Sequence, residues 1–207
     1  MTKRGRLITI EGIDGAGKTT LASGLLGALA DRAVPAELLR EPGGVELSER
    51  LRETVKDPGL TVGARAEALI YAAARAQLVE QAVVPRLERG TWVVLDRFVD
   101  SSLAYQGAGR GLGVEAIRDL NLFGTGALVP DRTLLLVLPA ELACSRAKER
   151  SAVPDRLERE DPEFFARVLE GYEQIARAEP QRVRRLTADR TPGELLEAAL
   201  AELADLL

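Results

Sequence analysis

The stretch Thr9–Thr20, TIEGIDGAGKTT, gathers the residue types that phosphate chemistry needs. Gly12, four further residues, then Gly17, Lys18 and Thr19 reproduce the spacing of a loop that cradles nucleotide phosphates. Gly12, Gly15 and Gly17 permit backbone conformations that a Cβ obstructs. Successive N–H groups and the N-terminus of a following helix then point at the phosphates. Lys18 can reach the β- and γ-phosphates, and the Thr19 hydroxyl can ligate Mg²⁺. The expected nucleotide-binding set is Gly12, Ile13, Asp14, Gly15, Ala16, Gly17, Lys18, Thr19 and Thr20.

A second metal-side group should end a neighbouring strand. WVVLD supplies it, four apolar residues and then Asp96, which is expected to hold Mg²⁺ with Thr19. Arg97 follows at once. A cation beside the metal carboxylate suits a second phosphate, that of an acceptor. Arg97 can alternatively form an ion pair with Asp96 or Glu41. Asp14 is unusual inside the loop, because a carboxylate among phosphates is costly unless it meets a donor or a cation.

The elements that must position these groups are legible as alternating apolar runs and helical patterns. LITIEG (7–12) reads as a buried strand entering the glycine-rich loop, and residues 19–33 follow at helical spacing. AELLRE (36–41) is a second strand, closed by the turn EPGG. ELSERLRETV is helical, and KDPGLTVG is a loop. AEALIYAAARAQLVEQAVVPRLERG predicts a long Ala-rich helix, broken or kinked near Pro85. TWVVLD (91–96) and TLLLVL (133–138) are strands, the latter apolar enough to be covered on both faces. RVRRLTA is a weak fifth strand, with a C-terminal helix from about Pro192. Strands alternating with helices give an α/β class, a three-layer α/β/α sandwich with a five-stranded parallel sheet, the P-loop NTPase fold. The chain of 207 residues is expected to form one domain, 1–207, with a short charged lid at about 146–160.

Composition narrows the function. The net charge is −4, so no global basic field points to a nucleic-acid partner. There is no His, which removes His-based catalysis and ligation, and Cys144 is the only cysteine, which excludes a disulfide framework. No apolar run approaches the roughly 20 residues of a membrane span. The N-terminus enters a strand almost immediately, unlike a signal peptide. The expectation is a soluble cytoplasmic protein.

EGIDGAGKTT, REPGG and DRFVDSSLAYQGAGRGLG together resemble the bacterial thymidylate kinase family, in the family's order and spacing, from residue 7 to about 175. That resemblance implies the reaction ATP + dTMP → ADP + dTDP, with Mg²⁺, in a homodimer formed through the long Ala-rich helix. It implies that Asp14 accepts from the sugar 3′-hydroxyl, and that Arg40 joins Arg97 in holding the acceptor phosphate. Pro42 and Gly43 set the turn that aims Arg40, and Glu41 can neutralise Arg97. Tyr71 stands where the family usually has Phe and stacks on thymine. Arg75, four residues on and so on the same helix face, donates to thymine O4. Ser102 and Gln106 match positions that bond the base in relatives, Tyr105 packs where a ribose 2′-hydroxyl would sit, and Leu51 completes the apolar wall. Gly15 with a basic lid resembles the branch in which the lid supplies the catalytic cation. Arg146, Lys148, Arg150 and Arg156 are the lid cations. Arg150 is favoured as the finger and Arg146 as a contact to ATP.

Two alternatives remain on the sequence. One is another P-loop kinase with a different acceptor, which Tyr71, Arg75 and Tyr105 oppose. The other is a nucleotide-dependent switch or ATPase module, but the guanine-reading Asn-Lys-x-Asp segment is missing, and Asn121 is the only Asn. GAGRGLG (107–113) looks like a dinucleotide fingerprint, but no strand precedes it and Leu112 replaces the third glycine. It is expected to be a flexible connector.

Overall fold

The apolar runs form the strands of one sheet in a computed structural model, which describes residues 4–138, 142 and 156–207. In chain order the elements are β1 (Leu7–Glu11), α1 (Lys18–Ala30), β2 (Ala36–Arg40), α2 (Glu46–Lys56) and α3 (Ala64–Leu78). There follow α4 (Val84–Glu88), β3 (Trp92–Asp96), α5 (Val99–Ser102), α6 (Val114–Thr125) and β4 (Arg132–Val137). The last three are α7 (Pro162–Ala178), β5 (Val183–Thr187) and α8 (Pro192–Glu202). The strands lie in the order β2-β3-β1-β4-β5 and every pairing is parallel.

This is the expected α/β architecture, with helices on both faces. β1 is buried along its whole length, as a central strand between two helical layers should be. Alternation along the strands sends Ile8, Ile10, Val94 and Leu134 into one core, with Leu21, Leu25 and Phe164. Leu7, Val93 and Leu95 enter the other, against Leu78, Val83 and Phe98. The edge strands are more polar: β2 and β5 carry Glu37, Arg184 and Arg185 toward solvent, which explains the weak signal of the fifth strand.

The register brings the chemistry to one edge. Ile10 pairs with Asp96 and Arg40 with Asp96, so β1, β2 and β3 end together, and the phosphate loop, Arg40 and Arg97 leave from neighbouring strand ends. That is where open parallel sheets bind ligands.

Three local expectations need correction or completion. The long helix does break, but in the π-helical turn Val79–Val83 that precedes Pro85. Proline lacks the N–H that an α-helical bond to residue 81 requires, so the irregularity falls on the turn before it. The glycine-rich connector is not loose at its start: Leu103–Gly109 continues α5 as a buried π-helical segment. A Cβ on Gly109 would lie 2.7 Å from a ring carbon of Phe164, so glycine there serves close packing. Helices α6 and α7 go beyond the elements read from the sequence. α7 carries local signals of its own, an Asp161 side chain accepting from the Phe164 N–H at 2.6 Å and Pro162 at the first turn.

Candidate active site

The loop between β1 and α1 is shaped by glycine where shape is demanded. Gly12 has φ +135°, and a Cβ there would stand 2.6 Å from the carbonyl oxygen of Leu136. Gly17 precedes α1 with φ +93°, a left-handed conformation that frees the first helical N–H groups to face the loop. Lys18 is buried and folds back, its Nζ donating to the Ile13 carbonyl at 2.9 Å and lying 3.8 Å from Asp14. Burial, with the charge of Arg97, pulls its ammonium down to about 8, against the attraction of Asp14, Asp96 and Glu11.

Thr19 and Asp96 lie side by side: the Thr19 hydroxyl donates to Asp96 Oδ2 at 2.8 Å. Arg97 does not pair with Asp96 or Glu41. Its Nη2 bonds Asp14 Oδ1 at 3.0 Å, and Nη1 donates to Ser101 Oγ at 3.1 Å. Its guanidinium carbon lies 5.2 Å from the centre of the Tyr105 ring, a cation–π distance. Burial opposes ionisation of Asp14, but Arg97 and Lys18 together hold its carboxyl well below the usual carboxylate range. The carboxylate that looked costly inside the loop is therefore met by two cations. Arg97 adopts this position with φ +74°, a conformation L-residues rarely take outside functional sites.

Arg40 lies on the same strand edge but is exposed, and its Nη2 reaches both oxygens of Glu49 at 3.1 Å. Glu49 also accepts from the Gly44 N–H at 2.7 Å, so the EPGG turn and Arg40 are tied to α2. The two arginines of the expected clamp are thus held by different partners, Arg97 by Asp14 and Arg40 by Glu49.

Arg75 is 2% exposed and nearly saturated. Nε bonds Glu41 at 2.6 Å, Nη1 bonds Ser102 at 2.9 Å and also Asn121, and Nη2 bonds the Phe98 carbonyl at 2.9 Å. Glu41 is therefore the partner of Arg75. Burial pushes its carboxyl up to about 7 against the pull of that arginine, and its Oε1 meets no hydrogen-bond donor among the described residues. Asn121 Nδ2 donates to the Ile117 carbonyl at 2.7 Å, which turns its Oδ1 to Arg75. Tyr71 and Leu51 are half-buried. Gln106 is buried and donates to Glu67 at 2.9 Å.

Sequence reasoning missed Asn121, Glu67, Glu11 and Tyr172. Glu67 lies two turns before Arg75 on α3 and also pairs with Arg110 at 2.9 Å and Arg156 at 2.6 Å. Arg156, whose Nε donates to the Val55 carbonyl at 3.0 Å, is thereby an anchor between α2 and α3. The other lid cations, Arg146, Lys148 and Arg150, lie outside the described residues, as does Cys144.

A parallel sheet ending in a phosphate-binding loop, with a hydroxyl and a carboxylate beside the loop lysine, is the arrangement of a P-loop nucleotide-binding protein. The family model for thymidylate kinase matches residues 10–199. The thymidylate kinase of Alkalilimnicola ehrlichii is 46% identical over 99% of this chain and 93% of its own length. Those of Carboxydothermus hydrogenoformans and Deinococcus radiodurans are 44% and 46% identical, each covering 93% of both chains. The chain belongs to the thymidylate kinase family. It is accordingly an enzyme, a transferase of nucleotide biosynthesis.

Proposed function

We propose that the protein transfers the γ-phosphoryl group of ATP to dTMP, giving ADP and dTDP, the step that precedes dTTP. The observation that carries this reading is the Asp14–Arg97 bond at 3.0 Å, which joins the phosphate loop to the acceptor arginine. One interaction thus ties the donor half of the site to the half that holds a second phosphate.

Lys18 holds the β- and γ-phosphates, and Arg97 with Arg40 holds the acceptor phosphate, Arg40 exchanging Glu49 for the ligand. The acceptor oxygen is already anionic, so no general base is needed. Positioning and charge neutralisation carry the transfer. Asp14 accepts from the 3′-hydroxyl. Tyr71 stacks on thymine, and the one N–H of Arg75 Nη2 not used by the cage of Glu41, Ser102, Asn121 and Phe98 donates to O4. Cytosine presents an amino donor there and is disfavoured. Gln106 and Ser102 border the base, Leu51 walls the pocket, and Tyr105 excludes a 2′-hydroxyl. The lid supplies the remaining cations, Arg150 at the transferring phosphoryl and Arg146 at ATP.

The residues present fit magnesium: the Thr19 hydroxyl and Asp96 carboxylate are hard oxygen donors 2.8 Å apart beside the loop lysine. When bound, Mg²⁺ neutralises charge on the phosphate oxygens.

A homodimer accords with the apolar surface on α3 and α6, where Phe123 is 90% exposed, Leu69 57% and Leu122 45%. A cytoplasmic location accords with a nucleotide-metabolising enzyme, and no helix among the described residues is long and apolar enough to cross a membrane.

The test is ADP formation from Mg-ATP with dTMP, dUMP, dCMP, dGMP, AMP and the ribose form of TMP. Strong preference for dTMP supports the assignment, and Arg75→Ala should then lower kcat/KM for dTMP by roughly ten- to a hundred-fold. Equal or absent activity across the panel overturns the acceptor reading.

A further inference from the structure

Glu11 ends β1 one residue before the phosphate loop and is fully buried, yet the roles assigned above leave it idle. Its carboxylate accepts from the Phe98 N–H at 2.7 Å, from the Ser101 hydroxyl, and from the Tyr172 hydroxyl at 3.1 Å. Every one of these donors belongs to the surroundings of Arg97. The Phe98 N–H is the peptide group that follows Arg97. The two hydroxyls are those that Arg97 Nη1 meets, Ser101 Oγ at 3.1 Å and the Tyr172 OH at 3.5 Å.

We propose that Glu11 is a positioning residue that fixes both the backbone and the guanidinium of Arg97, and through it the acceptor phosphate; this rests on the acceptor role of Arg97 proposed above. Two physical arguments carry it. The first concerns the backbone. A left-handed non-glycine residue persists only where its surroundings over-determine it. Here the Arg97 N–H bonds the Ile10 carbonyl at 3.0 Å, and the next N–H bonds Glu11. Successive groups of one turn are therefore held by successive residues of β1.

The second argument concerns polarity. An ionised carboxylate only accepts hydrogen bonds. The two hydroxyls also lie 2.9 Å from each other, so their protons point to Glu11 or to one another, and the lone pairs left over turn toward the guanidinium. A side chain that donated to either hydroxyl would compete with Arg97 Nη1 for its lone pairs and leave one fewer acceptor for the two hydroxyl protons. A buried carboxylate is costly, and the hydrogen bonds that offset that cost here all come from groups around Arg97. The charge is explained if its work is to set the direction of these hydrogen bonds. Ser101 and Tyr172 come from α5 and α7, so the device joins three elements around one arginine.

The experiment compares wild type with Glu11→Gln, which keeps the shape but can donate, and with Tyr172→Phe, which deletes one hydroxyl and keeps the packing ring. Dissociation constants for dTMP and for thymidine are measured by calorimetry at pH 8, with KM for ATP from steady-state rates. At that pH the Glu11 carboxyl, pushed up by burial to about 7, is ionised. The expected result is dTMP binding weakened roughly tenfold or more, with the KM for ATP unchanged and thymidine binding weakened far less, because the phosphate meets Arg97 directly while the 3′-hydroxyl meets it only through Asp14. Unchanged dTMP binding in folded Tyr172→Phe and Glu11→Gln overturns the proposal. Parallel loss of dTMP and thymidine also overturns it, since that marks general damage to the site. If Glu11→Gln fails to fold, Tyr172→Phe decides alone. A wild-type protein that binds thymidine and dTMP equally refutes the acceptor role of Arg97 itself, a separate outcome.

Discussion

Arg97→Gly should be a more stable protein than Arg97→Ala, the reverse of the usual order. Both variants lose the same guanidinium, with its bonds to Asp14 and Ser101 and its contact with the Tyr105 ring. Those losses cancel in the comparison, and the backbone remains. At φ +74° an L-residue pays roughly 1–2 kcal/mol that glycine avoids. Glycine gives back roughly 0.5–1 kcal/mol through its freer unfolded chain. The net difference is about 0.5–1 kcal/mol in favour of glycine, or about 1–4 °C in Tm for a chain of this size. Urea titration followed by circular dichroism, with thermal melts alongside, measures it directly. Equal midpoints, or an alanine variant that is the more stable, would refute the reasoning: the turn would then relax once the side chain is gone, and the left-handed geometry would not be imposed by Ile10 and Glu11. Both variants should lose the preference for dTMP over thymidine, which separates the site's need for arginine from the fold's tolerance of glycine.

Two further outcomes follow from the structure. Phe123→Glu should convert the proposed dimer to a monomer, read by light scattering behind a sizing column. Burying one such ring contributes about 1.5–3 kcal/mol and a two-fold interface contains two, so association should weaken by at least a hundredfold; a wild type that is monomeric at all concentrations would disprove the interface. Glu11 makes stability depend on pH. Burial, with Asp100 adding, raises its carboxyl from 4.5 to about 7, so the native state binds more protons than the unfolded chain across that interval. Its contribution is therefore present below about pH 4.5 and lost as pH rises through 7, by up to about 3 kcal/mol. The denaturation free energy of wild type minus that of Glu11→Gln should fall over this range, and parallel curves would contradict the assignment.

Much of the site was legible because the chemistry is local. The phosphate loop with the start of its helix is nine contiguous residues, Gly12–Thr20, whose glycines and lysine lie together in the sequence, and Asp96 with Arg97 is announced by the apolar run that ends there. The strands were visible because central parallel strands are buried on both faces and so read as mostly apolar runs, as LITIE and TLLLV do. α7 was equally visible in principle, through its Asp161 cap and the stripe Phe164, Val168, Tyr172 and Ile175.

Partnership was not legible. Arg75 could be marked as a base-reading arginine, but its cage draws on Glu41, Ser102 and Asn121, which are 34, 27 and 46 residues away. Tyr172 reaches Glu11 across 161 residues. Periodicity reports which face of an element is buried, and carries no information about what a buried polar group will meet. The sequence by itself determined the strands, the phosphate loop and the kinds of groups at the strand ends. Only the tertiary structure decided that Glu41 serves Arg75, that Asp14 serves Arg97 and that Arg156 is clasped by Glu67. The reason is energetic: a buried charge must find a partner, and which partner is in reach depends on the order of strands in the sheet and on how the helices pack against it.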